Sequence, residues 1–287
     1  MQSLCFIKMD GSQNILLGNN LHQKDGIWFS QNVSAVSYPE DANSVYYDVE
    51  NKSFWFEHRN NCITYLADAF KIPKQFFDIG GGNGFVSAGM QKAGYETYLL
   101  EPGIYGCLNG KRRNIKNIIC STLEESGLPK DSIPSCGLFD VVEHIEKDID
   151  FLKQVHLHMK DEGILLLTVP AFKLLWSEED SCVGHYRRYS LKTIAHTLSE
   201  AGFKVEYSTY LFSFLVLPIL IFRSLPTWLK IKTKRGDPKT VSRDHEKKGL
   251  LSRMLHSLMR WEINRIKKGK KIFTGSSCLV VARKLQP

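Results

Sequence analysis

The residues from Phe76 to Glu101 constrain this chain more than any others. Phe76-Phe77 leads into Asp78 and then Ile79-Gly80-Gly81-Gly82-Asn83-Gly84, and a second apolar run, Tyr98-Leu99-Leu100, ends in Glu101. Glycines let the backbone turn sharply and bring its N–H groups within reach of a ligand that a Cβ would push away. An acid at the end of the next strand can accept hydrogen bonds from both ribose hydroxyls. Strand, glycine loop, helix, strand, acid is thus the order of a nucleoside site at the edge of a parallel sheet. Glycine spacing narrows the nucleoside. A dinucleotide fingerprint closes on glycine or alanine at its sixth position, but from Gly80 that position is Phe85 and from Gly82 it is Ser87, which weighs against a pyrophosphate. A glycine-rich turn that only lets a helix pack closely on a strand is the bland alternative. The acid recurring at the right distance counts against it.

Short apolar runs alternate with helical spacing through the rest of the chain. Strands are expected near 76–79, 97–101, 117–120, 134–139, 163–169, 203–210 and 277–283, and helices near 84–93, 103–110, 147–159 and 190–201. A helix with Ile63, Leu66, Ala67 and Phe70 on one face precedes the first strand and is ended by Pro73. This alternation predicts an α/β doubly wound, mostly parallel sheet with helices on both faces. Residues 1–60 read as an N-terminal cap or lid, with short strands at Gly26-Ile27-Trp28-Phe29 and Val33 to Tyr38 that form a small cap or a hairpin. Residues 61–211 and 273–287 read as the cofactor-binding domain. Residues 212–272 read as a helical insertion before the last strand, of the kind that bears substrate specificity.

Asp78-x-Gly80-x-Gly82-x-Gly84 resembles the first motif of class I S-adenosylmethionine-dependent methyltransferases, whose acid and glycine loop hold the methionine end of the cofactor. Glu101 matches their ribose-binding acid. The resemblance implies a seven-stranded sheet with an antiparallel final strand, S-adenosylmethionine as cofactor, and methyl transfer by in-line displacement. Phe139-Asp140-Val141-Val142-Glu143-His144 is similar to the D-V-x-E-H segment of one branch, which places Asp140 by the methionine part of the cofactor. By the same analogy Thr122 and Leu123 lie beside the adenine. Gly184-His185-Tyr186-Arg187-Arg188-Tyr189 looks like the G-H-x-R-R-Y loop of the small-molecule, sugar or lipid branch, which borders the acceptor. Ser53-Phe54-Trp55-Phe56-Glu57-His58-Arg59 resembles that branch's helix over the cofactor, with Trp55, Phe56 and Arg59 as lid residues.

Physical chemistry assigns roles to the same side chains. His144 and His185 are candidate general bases, because imidazole titrates near working pH. Trp55, Arg59, Tyr186, Arg187, Arg188 and Tyr189 suit a ring or an anion in the acceptor. The structural alternatives are that Glu143 and His144 tie down the following helix, and that Arg187 and Arg188 pair with Glu178, Glu179 and Asp180 to close their loop. No histidine–carboxylate spacing along the sequence calls for a metal.

Charge locates a possible partner. Between Arg223 and Lys271 stand sixteen Lys or Arg and four acids, a net +12 in a chain whose total is +8. A basic segment beside the apolar run Leu211 to Phe222 points to an anionic acceptor or a phospholipid surface. That run is too short to span a bilayer. A buried helix, the wall of an apolar pocket and an interfacial segment stay open for it. An RNA methyltransferase using the basic insertion is the alternative function, with a nicotinamide-dependent oxidoreductase and a non-catalytic cofactor sensor behind it. Seven scattered cysteines with no C-x-x-C pair, and no basic-then-apolar leader, suggest a reducing, cytoplasmic setting, including the inner face of a membrane.

Overall fold

The computed structural model describes residues 5–6, 16–17, 21–30, 42–231 and 250–286. A nine-stranded sheet organises them, not the seven expected. Its strands are β3 (Leu21–Lys24), β4 (Ile27–Ser30), β5 (Gln75–Ile79), β6 (Glu96–Leu100), β7 (Asn117–Cys120), β8 (Ile133–Phe139), β9 (Met159–Pro170), β10 (Phe203–Leu211) and β11 (Ser277–Lys284). They lie in the order β10-β11-β9-β8-β5-β6-β7-β4-β3. Two short strands, β1 (Cys5–Phe6) and β2 (Leu16–Leu17), pair separately. The last strand, β11, slots between β9 and β10 and is antiparallel to both.

The two additional strands come from the N-terminal segment. Asp25 and Gly26 both have positive φ, 51° and 79°, the backbone of a two-residue hairpin turn whose twist matches the strands it joins. Such a turn closes β3 onto β4, and β4 then pairs in parallel with β7. This hairpin therefore extends the sheet edge. The strand expected at Val33 to Tyr38 falls outside the described residues.

Helices α1 (Ala42–Lys52) and α2 (Phe54–Ala69) precede the sheet's centre, and α3 (Phe85–Lys92), α4 (Ile104–Arg112), α5 (Asp148–His158), α6 (Glu178–Cys182) and α7 (Leu191–Glu200) connect its strands. Nearly every residue of β5, β6, β8 and β11 is buried, as a sheet covered on both faces requires. Capping chemistry sets the helix starts. Ser53 Oγ accepts from Trp55 N at α2, and Ser190 Oγ from Thr193 N at α7. The Ser53 cap starts α2 at Phe54, nine residues before Ile63, the first residue of the periodic face that the sequence displays.

The insertion is anchored to the domain. It holds α8 (Val216–Ile219), a π-helical turn at Leu220–Ser224, α9 (Leu225–Trp228) and α10 (Leu250–Lys267). Glu262 of α10 is fully buried and accepts from Phe212 N, Ser213 N and Ser213 Oγ at 3.0, 2.7 and 2.6 Å, with His58 Nε2 of α2 at 3.1 Å. These bonds hold its carboxyl below the usual range against the cost of burial. Leu211 and Phe212 are buried, whereas Leu217, Ile221, Phe222 and Leu229 are at least half exposed. Phe214 and Leu215 still pack against the core, but from Leu217 the apolar run is not a buried helix. Among the described residues no helix is long and apolar enough to cross a membrane.

Candidate functional site

The carboxyl ends of β5, β6, β8 and β9 meet at one sheet edge, where open parallel sheets bind ligands. At β5 the chain leaves Asp78 through Gly80, Gly82 and Gly84, all with positive φ. Gly82, at 54°, has open space where a Cβ would project, so this part of the loop presents bare backbone outward. Gly84, at 71°, starts α3, and a Cβ there would strike Ile115.

Two buried acids flank the loop. Glu101 Oε2 accepts from Gly82 N at 2.9 Å and Oε1 from Gly103 N at 2.7 Å. Burial outweighs these bonds and lifts its pKa to about 7. Each carboxylate oxygen keeps a lone pair beyond the one it uses. Asp78 is fully buried; Oδ2 accepts from Ser87 N and Ser87 Oγ at 3.0 and 2.7 Å, tying β5 to α3. Its Oδ1 is buried without a partner, and burial lifts this acid to about 6. An open glycine cradle, an acid with spare lone pairs and an orphaned carboxylate oxygen suit a cationic nucleoside rich in hydroxyls. Thr122 and Leu123 follow β7. Leu123 is buried in the core, while the Thr122 hydroxyl pairs with Glu125 in a local turn.

Asp140 sits at the end of β8 with φ 57°. It accepts from Thr168 Oγ1 at 3.1 Å and is ion-paired with Arg59 of α2. The Arg59 guanidinium lies 4.5 Å over the Trp55 ring and 5.2 Å over Phe56. Trp55 stacks on Phe212 at 5.2 Å, and Phe56 meets Phe85 edge-on at 5.7 Å. Two residues expected to serve separate purposes, Arg59 and Asp140, thus form one clasp that holds α2 over the sheet edge. A second clasp escaped sequence reasoning. Arg113 donates to Asn83 O, Asn51 Oδ1 and Glu50 Oε2 at 2.9, 2.5 and 2.7 Å, binding α1 to the glycine loop.

The third group is the loop between α6 and α7. Asp180 accepts from Arg188 Nε and Nη2 at 2.7 and 3.0 Å, from His185 Nδ1 at 2.8 Å and from Ser177 N at 2.8 Å. These donors overcome its burial and draw it down to about 2. Arg187 pairs with Asp148 at 2.8 Å, and Tyr189 donates to the same carboxylate at 2.7 Å. Arg187, Arg188 and Tyr189 are therefore already engaged with the protein's own acids, not free forks for an anion. Glu179 pairs instead with Arg223 of the insertion. Tyr186 is half exposed, and its N–H donates to Glu143 O at 2.8 Å.

That last bond brings the two histidines together. Val142–His144 forms a single 3-10 turn after β8, and the His144 and His185 rings meet edge-on at 4.7 Å. Burial and the neighbouring imidazole lower His144 to about 4. Glu143 does not cap α5 as one reading allowed. Its carboxyl is fully buried with neither oxygen hydrogen-bonded, and burial together with Asp140 drives its pKa well up.

Comparison with known proteins agrees with this geometry. The sequence profile of the family described as "Methyltransferase domain" matches residues 56–208. Among solved structures, the chain is similar to the complex of the Haloferax volcanii Trm112 methyltransferase activator with a putative methyltransferase (12% identity, 86% of this chain and 96% of that one, TM-score 0.55). It is also similar to Haemonchus contortus phosphoethanolamine N-methyltransferase 2 in complex with S-adenosyl-L-methionine (16%, 90% and 62%, TM-score 0.53). A third is a putative sarcosine dimethylglycine methyltransferase from Galdieria sulphuraria (13%, 85% and 98%, TM-score 0.55). At these identities the likeness is one of fold. No curated protein sequence matches. The profile spans more than half of the 287 residues and includes the glycine loop, Glu101 and the histidine cluster, which sets aside the nicotinamide reading: the chain belongs to the methyltransferase domain family and is a class I, S-adenosylmethionine-dependent methyltransferase.

Proposed function

We propose that this enzyme methylates a lipid-linked, anionic small molecule drawn from a membrane surface. The single observation that carries the reading is the exposed apolar stripe at Leu217, Ile221, Leu225 and Trp228–Leu229, which recurs at helical spacing. It is built against the acceptor loop. The turn Lys173–Leu175 packs on the π-helical turn, Glu178 N donates to Thr227 Oγ1 at 3.1 Å, and Arg223 pairs with Glu179. Along the sequence the basic excess starts at Arg223, within the stripe, and runs on past it. An apolar face with a cationic rim is the makeup of a segment that lies in an anionic interface, and residues 211–272 are the contact proposed here.

Each candidate residue then has a task. Asp78 and the backbone of Gly80, Gly82 and Gly84 hold the methionine end of the cofactor, and Glu101 takes its ribose. Thr122 and Leu123 border the adenine. Asp140, fixed by Arg59, stands between cofactor and acceptor under the lid formed by Trp55. When bound, the cofactor supplies an electrophilic methyl carbon on a sulfonium, so the protein's part is to align a nucleophile and exclude water. Tyr186 is the side chain of its loop left to meet the acceptor; Arg187, Arg188 and Tyr189 act by fixing that loop. Glu143, His144 and His185 form the polar end of the acceptor site, where the acceptor's proton departs.

The test supplies methyl-labelled S-adenosylmethionine with a lipid extract in phosphatidylglycerol-containing vesicles. Label is expected in the organic phase. A variant with Leu217, Ile221 and Phe222 changed to Ser loses about tenfold or more of that transfer, since each exposed side chain contributes roughly 1 kcal/mol of interfacial burial, while its affinity for the cofactor is unchanged. Label confined to water-soluble material or RNA, or transfer indifferent to the triple change, refutes the reading.

A further inference from the structure

Glu143, His144 and His185 offer three donor atoms that all lie within 4.8 Å of one another. Nothing along the sequence announces the group, because His185 arrives from a loop beyond β9 and is fastened by the Tyr186 N–H to Glu143 O bond. The Glu143 carboxylate is the unusual member. It has no exposure and no side-chain hydrogen-bond partner on either oxygen, and His185 Nε2 stops at 3.9 Å, too far for a hydrogen bond. A buried carboxylate left in that state costs several kcal/mol unless something positive satisfies it.

The imidazoles are set up to share that something. His185 spends Nδ1 on Asp180 at 2.8 Å, which leaves Nε2 on the side of Glu143. The His144 ring is hydrogen-bonded to the backbone of Val183 and Gly184, which fixes its orientation in turn. An outer carboxylate on the far nitrogen, as His185 has in Asp180, is what orients a metal-ligating imidazole.

We infer that Glu143, His144 and His185 bind one divalent first-row transition-metal cation. Two imidazole nitrogens and one carboxylate oxygen suit Zn²⁺, Co²⁺, Fe²⁺ or Ni²⁺ and not Mg²⁺, which prefers an all-oxygen shell. Bonds of about 2.1 Å put tetrahedral donors about 3.4 Å apart, a contraction that side-chain torsions can supply. Three protein ligands leave a position open beside Asp140 at the sheet edge. An acceptor hydroxyl taken up there would lose its proton more easily. That use rests on the acceptor reading above; the binding of the cation does not.

The experiment takes the untagged full chain, strips it with chelator and titrates it with Co²⁺. One Co²⁺ per chain is expected, with visible ligand-field absorption, no thiolate charge-transfer band from the exposed Cys182, displacement by Zn²⁺ and indifference to millimolar Mg²⁺. Glu143→Gln and His144→Gln each weaken uptake tenfold or more, with the thermal melt reporting that the variants are folded. Calorimetry with S-adenosylmethionine on the stripped chain tests the methyltransferase site independently. Absence of stoichiometric uptake by the wild-type chain overturns the inference, whatever the variants do, as does uptake undiminished in both variants.

Discussion

Asp180→Asn is the substitution whose cost the structure fixes most closely. The carboxylate accepts both arms of the Arg188 fork, the His185 ring and the Ser177 backbone, and the two side chains of the ion pair are 1% and 11% exposed. An amide keeps one acceptor oxygen where the Arg188 fork needs two, and leaves a guanidinium buried without its counter-ion. Breaking one partner of such a pair costs about 3–5 kcal/mol. The acid's own titration gives an independent figure. Its pKa falls from 3.8 to about 2 on folding, so the contribution is complete above pH 4 and is lost as pH falls through about 2; it amounts to roughly 2 kcal/mol. This is the smaller number because a protonated acid keeps some of the hydrogen bonds. Urea denaturation at pH 7 should therefore show Asp180→Asn less stable by about 3 kcal/mol, and the variant should lack the part of the wild type's acid sensitivity that develops between pH 4 and 2. Arg188→Met in the same background should cost much less than it does alone. A loss below about 1 kcal/mol, or two substitutions whose effects simply add, would refute the claim that this pair closes the loop.

Two further outcomes concern other buried acids. Glu101 ionises in the folded protein only near pH 7, so its burial lowers stability as pH rises from 4.5 to about 7. Cofactor affinity moves the opposite way, because the carboxylate is the better acceptor for ribose hydroxyls. Calorimetry should show affinity falling below pH 7 in the wild type, and a pH-independent loss of about 1–3 kcal/mol in Glu101→Gln; wild-type affinity in that variant would dismiss the ribose role. Glu262→Gln should cost about 2–4 kcal/mol in urea, since one amide cannot serve His58, Phe212 and Ser213 together. An unchanged midpoint would mean the insertion is held by its apolar contacts alone.

The sheet was legible because its signals are local. Phe76-Phe77, Tyr98-Leu99-Leu100 and Cys278 to Ala282 are runs whose burial requires a strand, and Gly80 to Gly84 carry backbone demands that any reader of one sequence can see. The hairpin at Asp25-Gly26 was half legible: the turn and Ile27 to Phe29 are plain, but the edge against which β4 lies belongs to β7, some ninety residues on. The site was legible as a set of residues and illegible as a set of partners. Arg59 and Asp140 lie 81 residues apart and His58 and Glu262 204, and no periodicity records which guanidinium meets which carboxylate.

Those partnerships follow one rule. Arg59 with Asp140 fastens a helix to the end of β8, Arg113 with Glu50 and His58 with Glu262 join helices outside the sheet, Arg188 with Asp180 closes a loop, and each pair is largely buried. Apolar packing of the same volume would serve stability as well or better, because desolvating two charges consumes most of what their attraction returns. What an ion pair adds is a register: the fork of Arg188 admits one placement of Asp180, and hence of His185, where a methyl group would tolerate several. In-line methyl transfer is governed by alignment, so rigid polar pins at the sheet edge are what this reaction asks of a fold. Within that ring Glu143 is the exception. It is the one fully buried carboxylate at this edge with neither oxygen hydrogen-bonded among the described residues, and it faces the two imidazoles nearest the acceptor loop. A fold that pins its other buried acids so thoroughly has left this one for a ligand to complete.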